Sequence, residues 1–230
     1  MKLENKVAIV TGGGRGIGRS TALTLAENGC SVVICSRRAS EINSVANEIR
    51  KLRRECLAIK ADVGNSQDAK EMVDNAIKNF GKIDILVNNA GVVYKKPLFQ
   101  MSEKEWDETI DTNLKGIFLC SKEVLPFMME QKFGVIINIS SGAGHSAYGN
   151  YAAYCVSKAG VLYLTESLAQ EVGNYGIKVF SICPGAVATK MQEQIIGKVQ
   201  YSLMKHLLIQ PEKIAGKILE ICLNKDKLKS

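Results

Sequence analysis

Six short β-branched runs alternate with helical stretches along the chain, and this alternation restricts the fold more than any other feature. The runs are Val7–Val10, Val32–Cys35, Leu57–Ile59, Ile83–Val87, Val135–Ile139 and Val179–Cys183. Each is nearly unbroken in apolar character, as expected of strands covered on both faces. Helical patterns lie between them, at about Ile17–Asn28, Ser40–Leu52, Ser66–Asn79, Glu103–Gln131 and Ala152–Tyr175. Ser102-Glu-Lys-Glu105 predicts a capping box before the fourth, and Ser40 and Ser66 are the expected N-caps of two others. Gly29, Gly81, Gly134 and Gly176 stand near helix-to-strand switches, where a C-cap glycine is expected. Consecutive βα units without a linker predict one α/β domain over residues 1–230, a doubly wound parallel sheet flanked by helices.

Composition narrows the class of protein. The hydrophobic share of 46% and charged share of 23% are those of an ordinary globular chain. No apolar run approaches the roughly 18 residues of a membrane helix. The start, Met1-Lys-Leu-Glu-Asn-Lys6, is charged and does not read as a signal peptide. Seven cysteines are scattered through strands and helices without a CxxC pair. They suit reduced core thiols in a cytoplasmic protein better than a disulfide framework or zinc site. The net charge of +7 is not gathered in one block, since Lys and Arg interleave with Glu and Asp. No nucleic-acid or membrane partner is therefore expected, and the lysine-rich Lys225–Lys229 reads as a frayed terminus. With two histidines and no companion ligands, no metal is expected.

In a doubly wound sheet the ligand lies at the carboxyl ends of the strands. Here those ends carry Gly12–Gly18, Ser36-Arg37-Arg38, Asp62-Val63, Asn88-Asn89-Ala90-Gly91, Ser140-Ser141 and Cys183-Pro184-Gly185. In the first, an apolar strand runs through glycines into a helix, which presents backbone N–H groups to a phosphate. Gly13–Ser20 departs from a P-loop at Arg19, where lysine is required, and the spacing of Thr11, Gly12, Gly16 and Gly18 departs from G-x-G-x-x-G. Taken alone, this segment leaves a dinucleotide site, a nucleotide-hydrolysing site and a plain tight turn open. The second strand end is more selective. An acid there would bind the ribose 2′-OH of NAD, whereas this chain has Ser36 followed by Arg37, with Arg15 in the glycine loop to close from the other side. That combination points to the 2′-phosphate of NADP(H).

Tyr154 and Lys158 are spaced i, i+4 on one helical face. A nearby ammonium is expected to lower the phenol's pKa and make it a proton-transfer group. Ser141, at the fifth strand end, offers a hydroxyl to a carbonyl oxygen. Tyr151 makes no such pair, because its i+4 residue is Cys155. His145 reads as a polar loop residue, Tyr148 and Tyr151 as pocket lining or helix packing, and Trp106 as packing or subunit interface.

These residues carry a resemblance. From Thr11-Gly-x-x-x-Gly-x-Gly18 through Asp62-Val63, Asn88-Asn-Ala-Gly91, Asn113, Ser141 and Tyr154-x-x-x-Lys158 to Pro184-Gly-x-x-x-Thr189, the sequence resembles the short-chain dehydrogenases/reductases, in particular 3-oxoacyl-[acyl-carrier-protein] reductases. The resemblance implies a Rossmann fold and decides against the P-loop. It implies catalysis by Asn113, Ser141, Tyr154 and Lys158: Tyr154 as proton donor, Lys158 lowering its pKa and binding the nicotinamide ribose, Ser141 polarising the carbonyl, and Asn113 holding a relay water. It also implies that Gly12, Gly16, Ile17 and Gly18 cradle the pyrophosphate. Asp62 and Val63 then contact adenine, Asn88, Ala90 and Gly91 line the cofactor, and Pro184, Gly185, Val187 and Thr189 meet the nicotinamide side.

The implied function is NADPH-dependent reduction of a carbonyl, a 3-oxoacyl thioester or related ketone carried on acyl carrier protein or coenzyme A. The alternatives are an NAD(P)-dependent secondary alcohol dehydrogenase working oxidatively, and a cofactor-binding regulator without catalysis. The sequence departs from the family near its end. Ile195, Ile196, Val199, Leu203, Leu207 and Leu208 predict a short helical lid at about 190–210 with an apolar underside. A helix at about 211–223 follows, and the family's usual seventh strand has no counterpart. Pairing through the two long helices implies a homodimer, with a homotetramer less strongly implied.

Overall fold

The computed structural model describes residues 2–224; the expected frayed tail, Lys225–Lys229, lies outside them. Six parallel strands form one sheet: β1 (Val7–Thr11), β2 (Ser31–Ser36), β3 (Cys56–Lys60), β4 (Ile85–Asn88), β5 (Gly134–Ile139) and β6 (Ile177–Ile182), in the order β3-β2-β1-β4-β5-β6. The order reverses between β1 and β4, and such a switch point opens the crevice in which dinucleotides bind. The apolar runs are continuous because both faces of the sheet are covered. Ala8 and Val10 of β1 join one hydrophobic cluster while Ile9 joins the other, and the same alternation recurs at Ile34 against Val33 and at Ile137 against Ile136.

Helices α1 (Gly16–Glu27) and α2 (Ala39–Lys51) pack on the first face through Leu25, Ile42 and Ile49. Helix α3 (Ser66–Phe80) covers the second through Met72 and Val73. The long helical stretch predicted at 103–131 is divided. Helix α4 (Glu103–Ile110) passes through a π-helical turn (Asp111–Lys115) into α5 (Gly116–Gln131). Helix α6 (Ala152–Val172) ends in a 3₁₀ turn that covers the remainder of its predicted span. Two short helices, α7 (Lys190–Ile196) and α8 (Lys198–Met204), precede α9 (Pro211–Asn224), which returns to pack Ile214 and Ile218 into the first cluster beside α1.

The capping box at Ser102 and Glu105 forms as predicted, but two other caps move. Asn65, not Ser66, caps α3, its side chain accepting from the N–H groups of Gln67 and Asp68. Arg38 rather than Ser40 precedes α2 and makes no side-chain cap. Gly81 and Gly176 take left-handed positions after helices. At the end of α5 that position belongs to Lys132 (φ 52°), and Gly134 is instead the first residue of β5. A Cβ on Gly134 would press on the Met128 side chain.

Candidate active site

A cleft of about 740 Å³ opens along the carboxyl ends of the strands. Its floor at one end is the glycine turn after β1. Gly12 (φ 64°) and Gly16 (φ 54°) adopt left-handed conformations that let the chain double back beneath α1. The start of α1 has no side-chain cap and no acid in its first turn. Its first N–H groups thus remain available to an anion, which suits a pyrophosphate. Thr11 and Asn89 lock the turn: Thr11 Oγ1 accepts from the N–H groups of Asn89 and Ala90 at 3.0 and 3.1 Å, and Asn89 Nδ2 donates to the carbonyls of Thr11 and Gly12 at 3.0 and 3.3 Å.

Gly18 is needed for close approach. A Cβ there would drive into the Gly12 carbonyl oxygen and the Asn89 amide. Gly18→Ala is expected to cost roughly 1–3 kcal/mol in denaturant unfolding. Gly216→Ala, in α9 with nothing within 4 Å of the added methyl, is expected to add about 0.5–1 kcal/mol. Equal effects at the two positions would remove the packing argument.

Ser36, Arg37, Asp62 and Val63 line the same end of the cleft, with Arg15 facing them from the glycine loop. Ala90 and Gly91 line its middle, as do Pro184, Gly185, Val187 and Thr189 from the opposite wall. Ser141, Tyr154 and Lys158 close the far end, and Tyr148 and Tyr151 line the wall beside them.

Lys158 is only 4% exposed, and its Nζ donates to the carbonyl of Ile139 at 2.8 Å. It lies 5.7 Å from the centre of the Tyr154 ring. Burial pushes the amine down to about 8. Burial also raises the Tyr154 phenol, more than its hydrogen bond with Ser141 lowers it. The expected lowering of the phenol by Lys158 is thus not the dominant effect in the protein alone. Desolvation outweighs it, and Tyr154 keeps its proton through the neutral range. A cleft holding a protonated phenol, a serine hydroxyl and a buried amine beside a phosphate cradle can bind a dinucleotide and protonate an oxygen next to it.

Comparison with known proteins agrees. The family model for short chain dehydrogenases matches residues 6–200. The chain belongs to the short-chain dehydrogenase family. It is 39% identical over 204 residues to the 3-oxoacyl-[acyl-carrier-protein] reductase FabG of Staphylococcus epidermidis, covering 88% of this chain and 84% of that one. It is 40% identical over 223 residues to the (2S)-[(R)-hydroxy(phenyl)methyl]succinyl-CoA dehydrogenase subunit BbsD of Thauera aromatica, covering 95% and 90%. Among solved structures, a short-chain dehydrogenase/reductase from Mycobacterium marinum superposes with a TM-score of 0.91 at 30% identity, covering 99% of this chain and 92% of that one. A metagenomic short-chain oxidoreductase in complex with NADP gives 0.86 at 31% identity, covering 99% and 95%. The chain is therefore an oxidoreductase with a nicotinamide dinucleotide cofactor.

Within this short-chain dehydrogenase, three expected site residues stand behind the cleft rather than in its wall. Asn88 is 2% exposed, and its Nδ2 donates to Asn138 and Ser121, so it braces β4 against β5 and α5. The neighbouring Asn89 reaches the cradle in its place. Gly18 shapes the turn from below. Asn113, fully buried in the π-turn, accepts from the Val92 N–H at 2.8 Å and donates to the Val92 carbonyl and Ser157 Oγ at 2.9 and 3.1 Å. Its side chain thereby pins the loop after β4.

His145 meets Cys183, with Nε2 3.5 Å from Sγ, outside the cleft wall. The buried thiols of Cys30, Cys35 and Cys222 are pushed up to about 12 and belong to the core. Among the described residues no cluster of His, Cys, Asp or Glu could hold a metal, and no helix is long and apolar enough to cross a membrane.

The segment beside the cleft mouth corrects its forecast in part. Met191, Gln192 and Ile195 of α7 line the cleft, but Val199, Leu203 and Leu207 are 78%, 70% and 72% exposed. Their apolar stripe faces outward rather than underneath. Sequence reasoning also missed Glu41 and Glu108, the acids that meet the cleft's arginines. Glu108 stands 71 positions from Arg37, so no local pattern announces the pairing.

Proposed function

We propose that this short-chain dehydrogenase reduces a carbonyl compound, a 3-oxoacyl thioester or a related ketone, to a secondary alcohol with NADPH. The observation that carries the reading is Tyr154: a desolvated phenol, hydrogen-bonded with Ser141 and held near neutral pH in its protonated form, is suited to donating a proton. The names of the relatives, one a carrier-protein reductase and one a CoA dehydrogenase subunit, support a thioester as the substrate class.

The bound nicotinamide supplies the hydride. Everything else falls to the chain. Gly12, Gly16 and Ile17, with the start of α1, would hold the pyrophosphate, and Ser36, Arg37 and Arg15 would hold the 2′-phosphate. Asp62 and Val63 flank the adenine. Ala90, Gly91, Pro184, Gly185, Val187 and Thr189 form the walls along the rest of the cofactor. Ser141 donates to the substrate oxygen as negative charge develops there, and Tyr154 delivers its proton to the same atom. Lys158, as an ammonium, steadies the phenolate left behind. Asn113 keeps the Val92 loop and α6 in register beneath them.

Two chains are proposed to pair through α5 and α6, where Phe118, Val156 and Tyr163 are 48%, 51% and 76% exposed.

The deciding experiment follows NADPH oxidation with a panel of ketones including acetoacetyl thioesters, with NADH alongside. Turnover of a thioester or ketone with NADPH is the expected result. Tight NADPH binding with no turnover across the panel would favour a regulatory role. Arg37→Asp is expected to weaken NADPH at least tenfold and to reduce the preference over NADH, since it replaces the phosphate partner with a like charge. Unchanged discrimination would take the 2′-phosphate away from Arg37.

A further inference from the structure

The arginines at the phosphate end of the cleft are already matched by acids brought from elsewhere in the fold. Arg15 and Arg38 both lean on Glu41, at 3.8 and 3.4 Å. Arg37 is held more closely: its Nη1 donates to Glu108 Oε1 at 2.7 Å, and Asp62 Oδ2 lies 3.9 Å from the same nitrogen. Three guanidinium groups thus face three carboxylates, and the basic end of the cleft is close to electrically balanced.

Glu108 is the member with a second anchor. It projects from α4, and its other oxygen accepts from the Tyr94 hydroxyl at 2.6 Å. Those two bonds, the one from Tyr94 first, hold its carboxyl below the usual range, so it faces Arg37 as an anion. Its side chain is 29% exposed, against 43% for Asp62. The Tyr94 bond also keeps the carboxylate from swinging aside. Among the described residues, Arg37 spends only Nη1 on a hydrogen bond. A guanidinium presents five donors in a planar fork, so the Nε and Nη2 edge remains for a second oxyanion.

We infer that Glu108 is a specificity-determining residue for the cofactor, a fixed competitor for Arg37 that lowers the preference for a 2′-phosphorylated dinucleotide over an unphosphorylated one. A 2′-phosphate must share Arg37 with a carboxylate and come to rest near it. An unphosphorylated ribose leaves Arg37 paired as it already is and loses nothing. The inference rests on the proposed assignment of Arg37 to the 2′-phosphate.

Dissociation constants for NADPH and NADH, read from cofactor fluorescence with wild type, Glu108→Gln, Tyr94→Phe, Arg37→Ala and the Glu108→Gln/Arg37→Ala pair, test it. Glu108→Gln keeps the size of the side chain and removes its charge. The ratio of the NADH to the NADPH constant is expected to rise about fivefold, the upper range for a partly exposed ion pair, with NADH changed less than about twofold. Tyr94→Phe, which frees the carboxylate to turn away, should move the ratio the same way by about twofold, and serves if Glu108→Gln does not fold. The double variant should match Arg37→Ala, because a competitor without its target has no effect.

A falling ratio in Glu108→Gln would make Glu108 a support for Arg37 and overturn the inference. So would an equal change for both cofactors. An unchanged ratio in Arg37→Ala would instead remove the assignment of Arg37 itself. A ratio that falls in Arg37→Ala but stays fixed in both Glu108→Gln and Tyr94→Phe would keep that assignment and dismiss Glu108.

Discussion

Tyr154→Phe is expected to lower kcat/KM for carbonyl reduction about a thousandfold while leaving the NADPH dissociation constant within about twofold of wild type. The substitution deletes one oxygen and keeps the ring. A positioned general acid contributes on the order of 10²- to 10⁴-fold, and the phenol meets the conditions for that role: it is desolvated, protonated near neutral pH and bonded to Ser141. Binding should survive because the proposed phosphate contacts lie at the other end of the cleft, at Gly12, Gly16 and Arg37, and touch nothing that the variant alters. The fold should survive as well, since an apolar ring in this half-buried position carries no polar group to leave unsatisfied. Steady-state rates with a reducible ketone, set beside fluorescence titration of NADPH, read the two halves separately. A residual rate above about a tenth of wild type would take Tyr154 out of the mechanism, and a parallel loss of cofactor affinity would mean that the ring had moved.

The sheet was legible because its strands are buried on both faces. Runs such as Val7–Val10 and Val32–Cys35 have no polar residue to blur them, and only their ends differ from expectation by a residue or two. The cradle and the Tyr154/Lys158 pair were legible because local spacing fixes them. What the sequence hid depends on tertiary contact. The π-turn at Asp111–Lys115 keeps an ordinary helical composition, and its widening coincides with Asn113 being bonded across to Val92. Asn88 and Asn89 look interchangeable in a row of two. Asn88, however, is the last residue of β4, in register with Asn138, and points into the packed interior, while Asn89 lies past the strand and turns to the glycine loop. The absence of an acid at the end of β2 was a correct reading of one strand. The acids instead come from α2 and α4, and no motif at Ser36-Arg37-Arg38 encodes their arrival.

Lys158→Met should abolish most turnover and, at pH 7, make the protein more stable. The catalytic loss, at least about a hundredfold, follows from removing the charge that steadies the Tyr154 phenolate. The gain in stability follows from burial. In the unfolded chain the amine keeps its proton up to its ordinary value of 10.5, whereas in the fold it releases it at about 8. Between those values the unfolded chain holds more protons, so this group makes the fold more stable as pH rises from 8 to 10.5. Below 8 both forms are protonated, and the penalty for burying the ammonium, roughly 3 kcal/mol, is present in full. Methionine escapes it but strands the Ile139 carbonyl that Nζ now satisfies, at about 1 kcal/mol. The difference between variant and wild type should therefore be about 1–2 kcal/mol in the variant's favour at pH 7. It should shrink by about 1.4 kcal/mol per pH unit above 8 and change sign at about pH 9–9.5; by 10.5 the neutral amine makes its hydrogen bond at no ionic cost. Urea unfolding of both proteins across that range measures it. A variant less stable than wild type at pH 7, by an amount that does not vary with pH, would show that Lys158 is held without strain, and that stability was not given up to place an amine beside Tyr154.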